Sequence, residues 1–200
     1  MYWVTSDTHF NHPLCVTLRH FSDIAEMNET LIANWNSVVK EEDTVFHLGD
    51  FFMGHFEFIK DILPRLNGKI ILVKGNHDYG HRLLEFEKYG VEIHLDQLTF
   101  FYNNKCFIMS HQPPEEIKSD IIYLYGHLHA DARKGFIDNT YHIGTDTNNF
   151  TPVALDQIIF EATTNSLCRA CVYPSSCPVC FENSEVKNCR GFICNLEKLK

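Results

Sequence analysis

The chain has 200 residues, 44% of them hydrophobic, 13% aromatic and 22% charged, which allows one sizeable core plus a small appendage and excludes a disordered chain, a collagen and a coiled coil. A net charge of −9, from 17 Lys and Arg against 26 Asp and Glu, repels extended nucleic acid unless a basic patch or bound metal reverses the field. The longest apolar runs, 70–73 and 121–125, fall far short of the roughly 18–20 residues needed to cross a membrane. The start Met1-Tyr2-Trp3-Val4-Thr5-Ser6-Asp7 has no basic region followed by an apolar stretch, so the expected address is the cytoplasm.

Residues 2–5 read as a short apolar strand running into Ser6-Asp7-Thr8-His9. Over 24–39, Ile24, Met27, Leu31, Ile32, Trp35 and Val38 follow helical spacing. A second strand covers 44–48 and ends at Gly49-Asp50, and 56–66 fits a helix that Pro64 bends or stops. The strand over 69–73 ends at Gly75-Asn76-His77-Asp78, and a helix over 82–89 stops at Gly90. The texture then turns to strands at 91–95, 98–102, 105–109, 121–125 and 141–143, with Asn103-Asn104 as a hairpin turn and 152–161 as a short closing helix. The pattern predicts an α/β fold, a two-sheet α/β/β/α sandwich with polar residues gathered where strands end. After 163–166 short cysteine spacings take over, which divides the chain into a body over 1–165 and a Cys-rich module over 166–200.

Five segments share one form, an apolar strand followed at once by His, Asp or Asn. They are Asp7-Thr8-His9, Gly49-Asp50, Gly75-Asn76-His77-Asp78, Ser110-His111 and Gly126-His127-Leu128-His129. Strands lying side by side bring such ends to a common crevice. Imidazole and carboxylate are ligands for borderline divalent cations, and in Asp-x-His or His-x-His at a strand exit the two side chains share a face. Glycines 49, 75 and 126 are expected to let the backbone turn tightly there. Taken singly each piece has an ordinary explanation, Gly-Asp as a turn and Ser-His as a polar loop. Their joint occurrence, in order and each after a strand, points to metal.

This ordered set resembles the calcineurin-like metallophosphoesterase family, in its small bacterial and phage form, over about residues 1–160. The stretch His142-Ile143-Gly144-Thr145-Asp146, followed by Pro152-Val153-Ala154-Leu155, resembles the closing strand and helix of those members. The resemblance implies two divalent ions, manganese first, with iron, zinc, nickel and cobalt also suited to the ligands. It places Asp7, His9 and His129 on one ion, Asn76 through its amide oxygen, His111 and His127 on the other, and Asp50 between them. In similar enzymes the ions, about 3.5–4 Å apart, hold a phosphate and a bridging hydroxide that attacks phosphorus in line with the leaving oxygen. His77 is the expected general acid, with Asp78 orienting its ring. Asn76 and His77 are also expected to meet substrate, and His12 is expected either to touch its phosphate or to be structural. The other histidines at 20, 47, 55, 81 and 94 match no motif and read as surface or satisfied core residues, and Cys15 and Cys106 as small buried hydrophobes.

Cys168-x2-Cys171, Cys177-x2-Cys180 and Cys189-x4-Cys194 lie outside the family pattern. Two Cys-x2-Cys knuckles signal zinc, each presenting two thiolates to one tetrahedral ion, although the gap between them is shorter than in a usual ribbon. The preferred reading is one structural zinc on four of the six thiolates. An iron–sulfur cluster, disulfides and free thiols are the alternatives.

Together these features lead us to expect a dinuclear-metal phosphoesterase, a phosphodiesterase for a small nucleotide-like ester, because the body is acidic and short connections leave little room for a capping domain. Two other readings stay open: a nuclease or RNA-end phosphatase guided by the tail, and a non-catalytic protein that binds a phosphorylated ligand or partner. Oligomeric state is not legible.

Overall fold

A computed structural model describes residues 1–132 and 135–169. The chain divides into two units, Met1–Asp156 and Gln157–Lys200. The first carries two five-stranded sheets. One contains β1 (Tyr2–Thr5), β2 (Thr44–His47), β3 (Lys69–Val73) and β4 (Glu92–His94), all parallel, with β10 (Val153–Ala154) antiparallel on the far side of β1. The other has the order β5 (Gln97–Tyr102), β6 (Lys105–Ser110), β7 (Ile121–Tyr125), β9 (Thr140–His142) and β8 (Phe136–Ile137). Its three inner strands, β6, β7 and β9, are parallel. The expected α/β fold with two sheets is the observed one.

Residues of the first sheet are buried on both faces, because successive side chains point opposite ways. Val45, Ile70 and Leu72 join the cluster formed with Met27, Leu31, Ile32 and Trp35 of α2 (Ile24–Val38). On the other face the ring of Phe46 packs 4.8 Å from Phe100 of β5, and Tyr2 lies 4.9 Å from the same ring. Helix α2 starts where Asp23 accepts a hydrogen bond from the Glu26 amide at 2.8 Å and Glu26 in turn accepts from the Ser22 amide at 2.6 Å, a reciprocal cap of the first turn.

Several expectations are corrected. Residues 56–66 form two 3-10 segments, Phe56–Asp61 and Leu63–Arg65, in place of one α-helix; Pro64 lacks the N–H an α-helical ladder would need. A helix α1 (Pro13–Leu18) follows the first motif, capped by His12; at six residues it is too short to show an apolar period. The expected closing helix at 152–161 is β10 followed by α4 (Leu155–Arg169). Helix α3 (His81–Lys88) ends before Gly90 at φ +79°, as its stop signal implied. At Asn103-Asn104, both φ angles are positive, 49° and 59°, the hairpin geometry that asparagine tolerates. Among the described residues no helix is long and apolar enough to cross a membrane. Cys171, Cys177, Cys180, Cys189 and Cys194 lie outside the described residues, as does the side chain of Cys168 at the end of α4.

Candidate active site

Five loops leave the C-terminal ends of parallel strands and meet. The first motif follows β1, Asp50 follows β2, Asn76 to Asp78 follow β3, His111 follows β6, and His127 and His129 follow β7. Backbone hydrogen bonds stitch the exits together: the Asp7 amide donates to the Gly49 carbonyl at 3.0 Å, the His9 amide to Asp50 at 3.0 Å, and the Gly126 amide to His111 at 3.1 Å. Asp7, His9, Asp50, His127 and His129 all stand in the left-handed region, with φ of 57°, 47°, 56°, 70° and 50°. Such conformations are costly for residues with a Cβ and cluster at functional sites. Gly49, at φ +91°, does need glycine's freedom. Gly75 and Gly126 do not have positive φ; they clear space, since a methyl at 75 would meet the Asp50 carboxylate and one at 126 the side chains of Ser6 and Asp7.

Asp50 occupies the centre. Its Oδ2 lies 3.6 Å from His9 Nε2 and 3.5 Å from His111 Nε2. Those separations are long for hydrogen bonds, and they approach the ~3.0–3.4 Å edges made by ligands on bonds of about 2.1 Å to a single ion. On one side Asp7, His9 and His129 each present a donor atom, all within 4.8 Å of one another. On the other, Asn76 Oδ1 is 2.8 Å from His111 Nε2 and 3.1 Å from His127 Nδ1, and the two imidazole nitrogens are 3.2 Å apart. All seven residues expected at the metals are thus brought to one place.

The site's polar atoms are incomplete without a cation. Asp7 Oδ1 and both ring nitrogens of His9 are buried with no hydrogen-bond partner, and each such group costs about 1–3 kcal/mol. Burial pushes the Asp7 carboxyl up to about 6 against the pull of His111 and His129. It pulls His9 down to about 2, helped by His129 and Arg19, which keeps that imidazole neutral and its lone pair ready to bind. Carboxylate, imidazole and amide oxygen together fit a borderline divalent ion.

His77 sits at the mouth, its side chain 39% exposed and its Nε2 3.9 Å from Asp50 Oδ2. The His77 amide donates to Asp50 Oδ1 at 2.8 Å, and its carbonyl accepts from Arg82 at 2.7 Å. Asp78 does not orient the ring as expected. It is buried, and its carboxylate accepts the amides of Asp50 at 2.7 Å, Gly75 at 2.9 Å and Phe51 at 3.1 Å. The turn at Asp50 leaves these N–H groups without backbone acceptors, and buried donors must be paired. His12 Nδ1 accepts the Leu14 amide at 3.1 Å, and its ring lies 5.3 Å from that of His9. His47, outside every motif, is buried with its Nε2 2.9 Å from Thr8 Oγ1. Cys15 is buried and Cys106 half-buried. A cavity of about 360 Å³ opens beside Asn76 and His111, with Lys74, Asp96, Gln97 and Gln112 along its wall.

Two residues near the site follow no strand-exit pattern. Asp146 Oδ2 lies 2.9 Å from His129 Nδ1, and Arg19 donates to both Asp146 oxygens, at 2.8 and 3.1 Å. Asp146 belongs to the closing-strand stretch already singled out, and its side chain had no assigned role. Arg19, at the end of a short helix, carried no sequence signal.

Strand exits that gather one carboxylate, an asparagine and four histidines around a central aspartate make a candidate metal centre. The sequence profile of the calcineurin-like phosphoesterases matches residues 2–173; the chain belongs to that family of phosphoric ester hydrolases, and membership implies a site for two divalent ions. An uncharacterized protein of Methanocaldococcus jannaschii is 33% identical over 168 residues, covering 78% of this chain and 88% of its own. The gene 66 protein of Mycobacterium phage L5 is 36% identical over 83 residues, 40% of each chain. Among solved structures, a protein of unknown function from Aquifex aeolicus superposes with a TM-score of 0.66 at 25% identity, over 80% of this chain and 98% of that one.

Two predictions follow from this geometry. Asp78→Ala leaves three buried amides unpaired and lowers stability by about 3 kcal/mol or more, read as a shift in the urea midpoint. The second concerns pH. Burial also holds His47 well below its ordinary value and His142 at about 4, and lowers His12 and His127. With His9, these imidazoles bind fewer protons folded than unfolded, so their contribution is lost as pH falls below about 6.5. Asp7, Asp78 and His129, all raised, act in the opposite direction and are outnumbered. Metal-free protein therefore has a lower urea midpoint at pH 5 than at pH 7.

Proposed function

We propose that the chain hydrolyses phosphodiesters of small nucleotide-like molecules with two divalent ions, manganese being the first candidate. Asp7, His9 and His129 would hold one, Asn76, His111 and His127 the other, with Asp50 shared. The observation that carries this reading is Asp50 Oδ2 standing nearly equidistant from His9 Nε2 and His111 Nε2, beside atoms of Asp7 and His9 that have no partner in the protein.

Bound ions of this kind acidify a water molecule and neutralise phosphoryl oxygens. The chain's own residues supply the rest. The peptide of His77 is held from both sides, by Asp50 and Arg82, so its ring projects into the mouth from a fixed base. There an imidazolium can donate its proton to the departing ester oxygen. Asn76 and His12 border the same opening. The cavity beside Asn76 and His111 has room for a group of nucleoside size, and the amides of Gln97 and Gln112 with the charges of Lys74 and Asp96 offer hydrogen bonds to its polar edges. A net charge of −9 favours a small ester over a long polyanion. We also infer a cytoplasmic address, and a division at 165/166 with the tail cysteines holding one structural zinc.

The test is hydrolysis of bis-para-nitrophenyl phosphate against para-nitrophenyl phosphate with added manganese. Diester turnover is expected to exceed monoester turnover. Asp50→Asn is expected to lose several kcal/mol of transition-state stabilisation, about 10²–10³-fold or more in rate. Preference for the monoester, or a fully active Asp50→Asn, overturns the reading. His77→Ala should retain both metals and lose about 10²–10⁴-fold on an alkyl ester. It should lose less on a para-nitrophenyl ester, whose departing oxygen needs no proton.

A further inference from the structure

We propose that Arg19 and Asp146 are positioning residues that lock His129 in one tautomer and thereby set the metal affinity of the Asp7, His9 and His129 site. The inference rests on the dinuclear reading above and assigns a role to two residues outside the five motifs.

A carboxylate can only accept, so the 2.9 Å contact between Asp146 Oδ2 and His129 Nδ1 requires the proton on Nδ1. In the neutral ring His129 Nε2 is then left with its lone pair, the form an imidazole needs to bind a cation. Asp146 is itself immobilised. Arg19 grips it in a two-bonded fork, Nε to Oδ1 at 2.8 Å and Nη2 to Oδ2 at 3.1 Å, and the side chains are only 3% and 12% exposed. The same guanidinium donates from Nη2 to the Asp7 carbonyl at 2.7 Å and from Nη1 to the Thr8 carbonyl at 2.8 Å. Thr145 Oγ1 donates to the Asp7 carbonyl at 2.8 Å and accepts from Arg19 at 3.2 Å. One planar cation thus ties the left-handed backbone carrying Asp7 and His9 to the carboxylate that orients His129. All three donors of this site are referred to one rigid group. On the opposite side, among the described residues, the ring of His127 has Gln112, at 3.5 Å, as its one hydrogen-bonding neighbour besides the other two members of its trio.

Substitution at 146 separates this role from a merely structural one. In Asp146→Asn the amide oxygen faces Arg19 and the NH2 faces His129, where it donates to Nδ1 and moves the ring proton to Nε2. Asp146→Ala removes the support and leaves the tautomer free. The asparagine variant, closer in shape, is therefore expected to be the worse of the two. The loss of an outer-shell partner typically costs about 10–100-fold in metal affinity.

The experiment titrates metal-stripped full-length protein with manganese alone by calorimetry, since manganese avoids the thiolates of the tail, and records the two-bond imidazole proton–nitrogen spectrum of metal-free protein. The wild type is expected to bind two ions and to show His129 protonated at Nδ1. Asp146→Asn is expected to weaken one ion by about 10–100-fold, leave the other within a few-fold and show His129 protonated at Nε2. Asp146→Ala should weaken the same ion less. Arg19→Lys, which keeps the charge and loses the fork, should lie between wild type and Asp146→Asn. A folded Asp146→Asn with both affinities unchanged, equal weakening of both ions, or an unchanged His129 tautomer overturns the inference while leaving the dinuclear reading intact. A wild type that binds no manganese overturns both.

Discussion

The structure depends on holding five residues with bulky side chains in a backbone conformation they ordinarily avoid. Asp7, His9, Asp50, His127 and His129 each have positive φ, at about 1–2 kcal/mol apiece. Such turns reverse the chain immediately after a strand, so a polar side chain stays at the strand's end. The strain persists because the surroundings over-determine it. Asp78 accepts the Asp50 amide, Arg19 caps the carbonyls of Asp7 and Thr8, and Asp7 Oδ2 accepts the His127 amide at 2.9 Å. Asp7, Asp50, Asp78 and Arg19 therefore fix backbone as well as presenting charge.

The site is buried in part and open in part, and the combination suits hydrolysis. Asp7, His9 and Asp50 are buried, which strengthens electrostatic interactions by excluding water. Asn76 is exposed, and His77, His127 and His129 are partly so. A wholly buried site would hold ions and admit no ester; a wholly open one would lose the dry environment in which neutralising a phosphoryl group has most effect. The parallel strands settle this compromise. Their C-terminal ends bring the exits together, with Asp7 and Asp50 after β1 and β2 buried and Asn76 and His77 after β3 reaching the opening.

The five strand exits were legible in the sequence because apolar runs of about four or five residues ended abruptly in His, Asp or Asn, and β1, β3 and β7 match their expected bounds. Local signals failed where structure was too short to show a period, as in α1 and the 3-10 segments, or where the partner was remote. Asp78 read as a neighbour of His77, yet its hydrogen bonds run to Asp50 and Phe51, 28 and 27 residues away. Arg19 and Asp146 are 127 positions apart. Motif spacing reports which side chains share a strand end; it carries no information about which buried backbone groups need an acceptor.

Charge connects these supports to function. Asp7, Asp50, Asp78 and Asp146 gather within one small volume, and Arg19 is paired with only one of them, holding Asp146 well below the usual carboxylate range together with the His129 hydrogen bond. Asp78 is raised by burial, its amides and the Asp50 charge acting in opposite directions. Asp7, Asp50 and Asp78 are met instead by backbone amides, those of His127, His77 and Asp50, which hold a carboxylate without cancelling its charge. Asp7 and His9, whose buried atoms lack partners, would hold divalent ions that supply the missing positive charge. On that reading a phosphoryl group would find a favourable place there once the cations are bound, and a body of net charge −9 would offer little to a long polyanion.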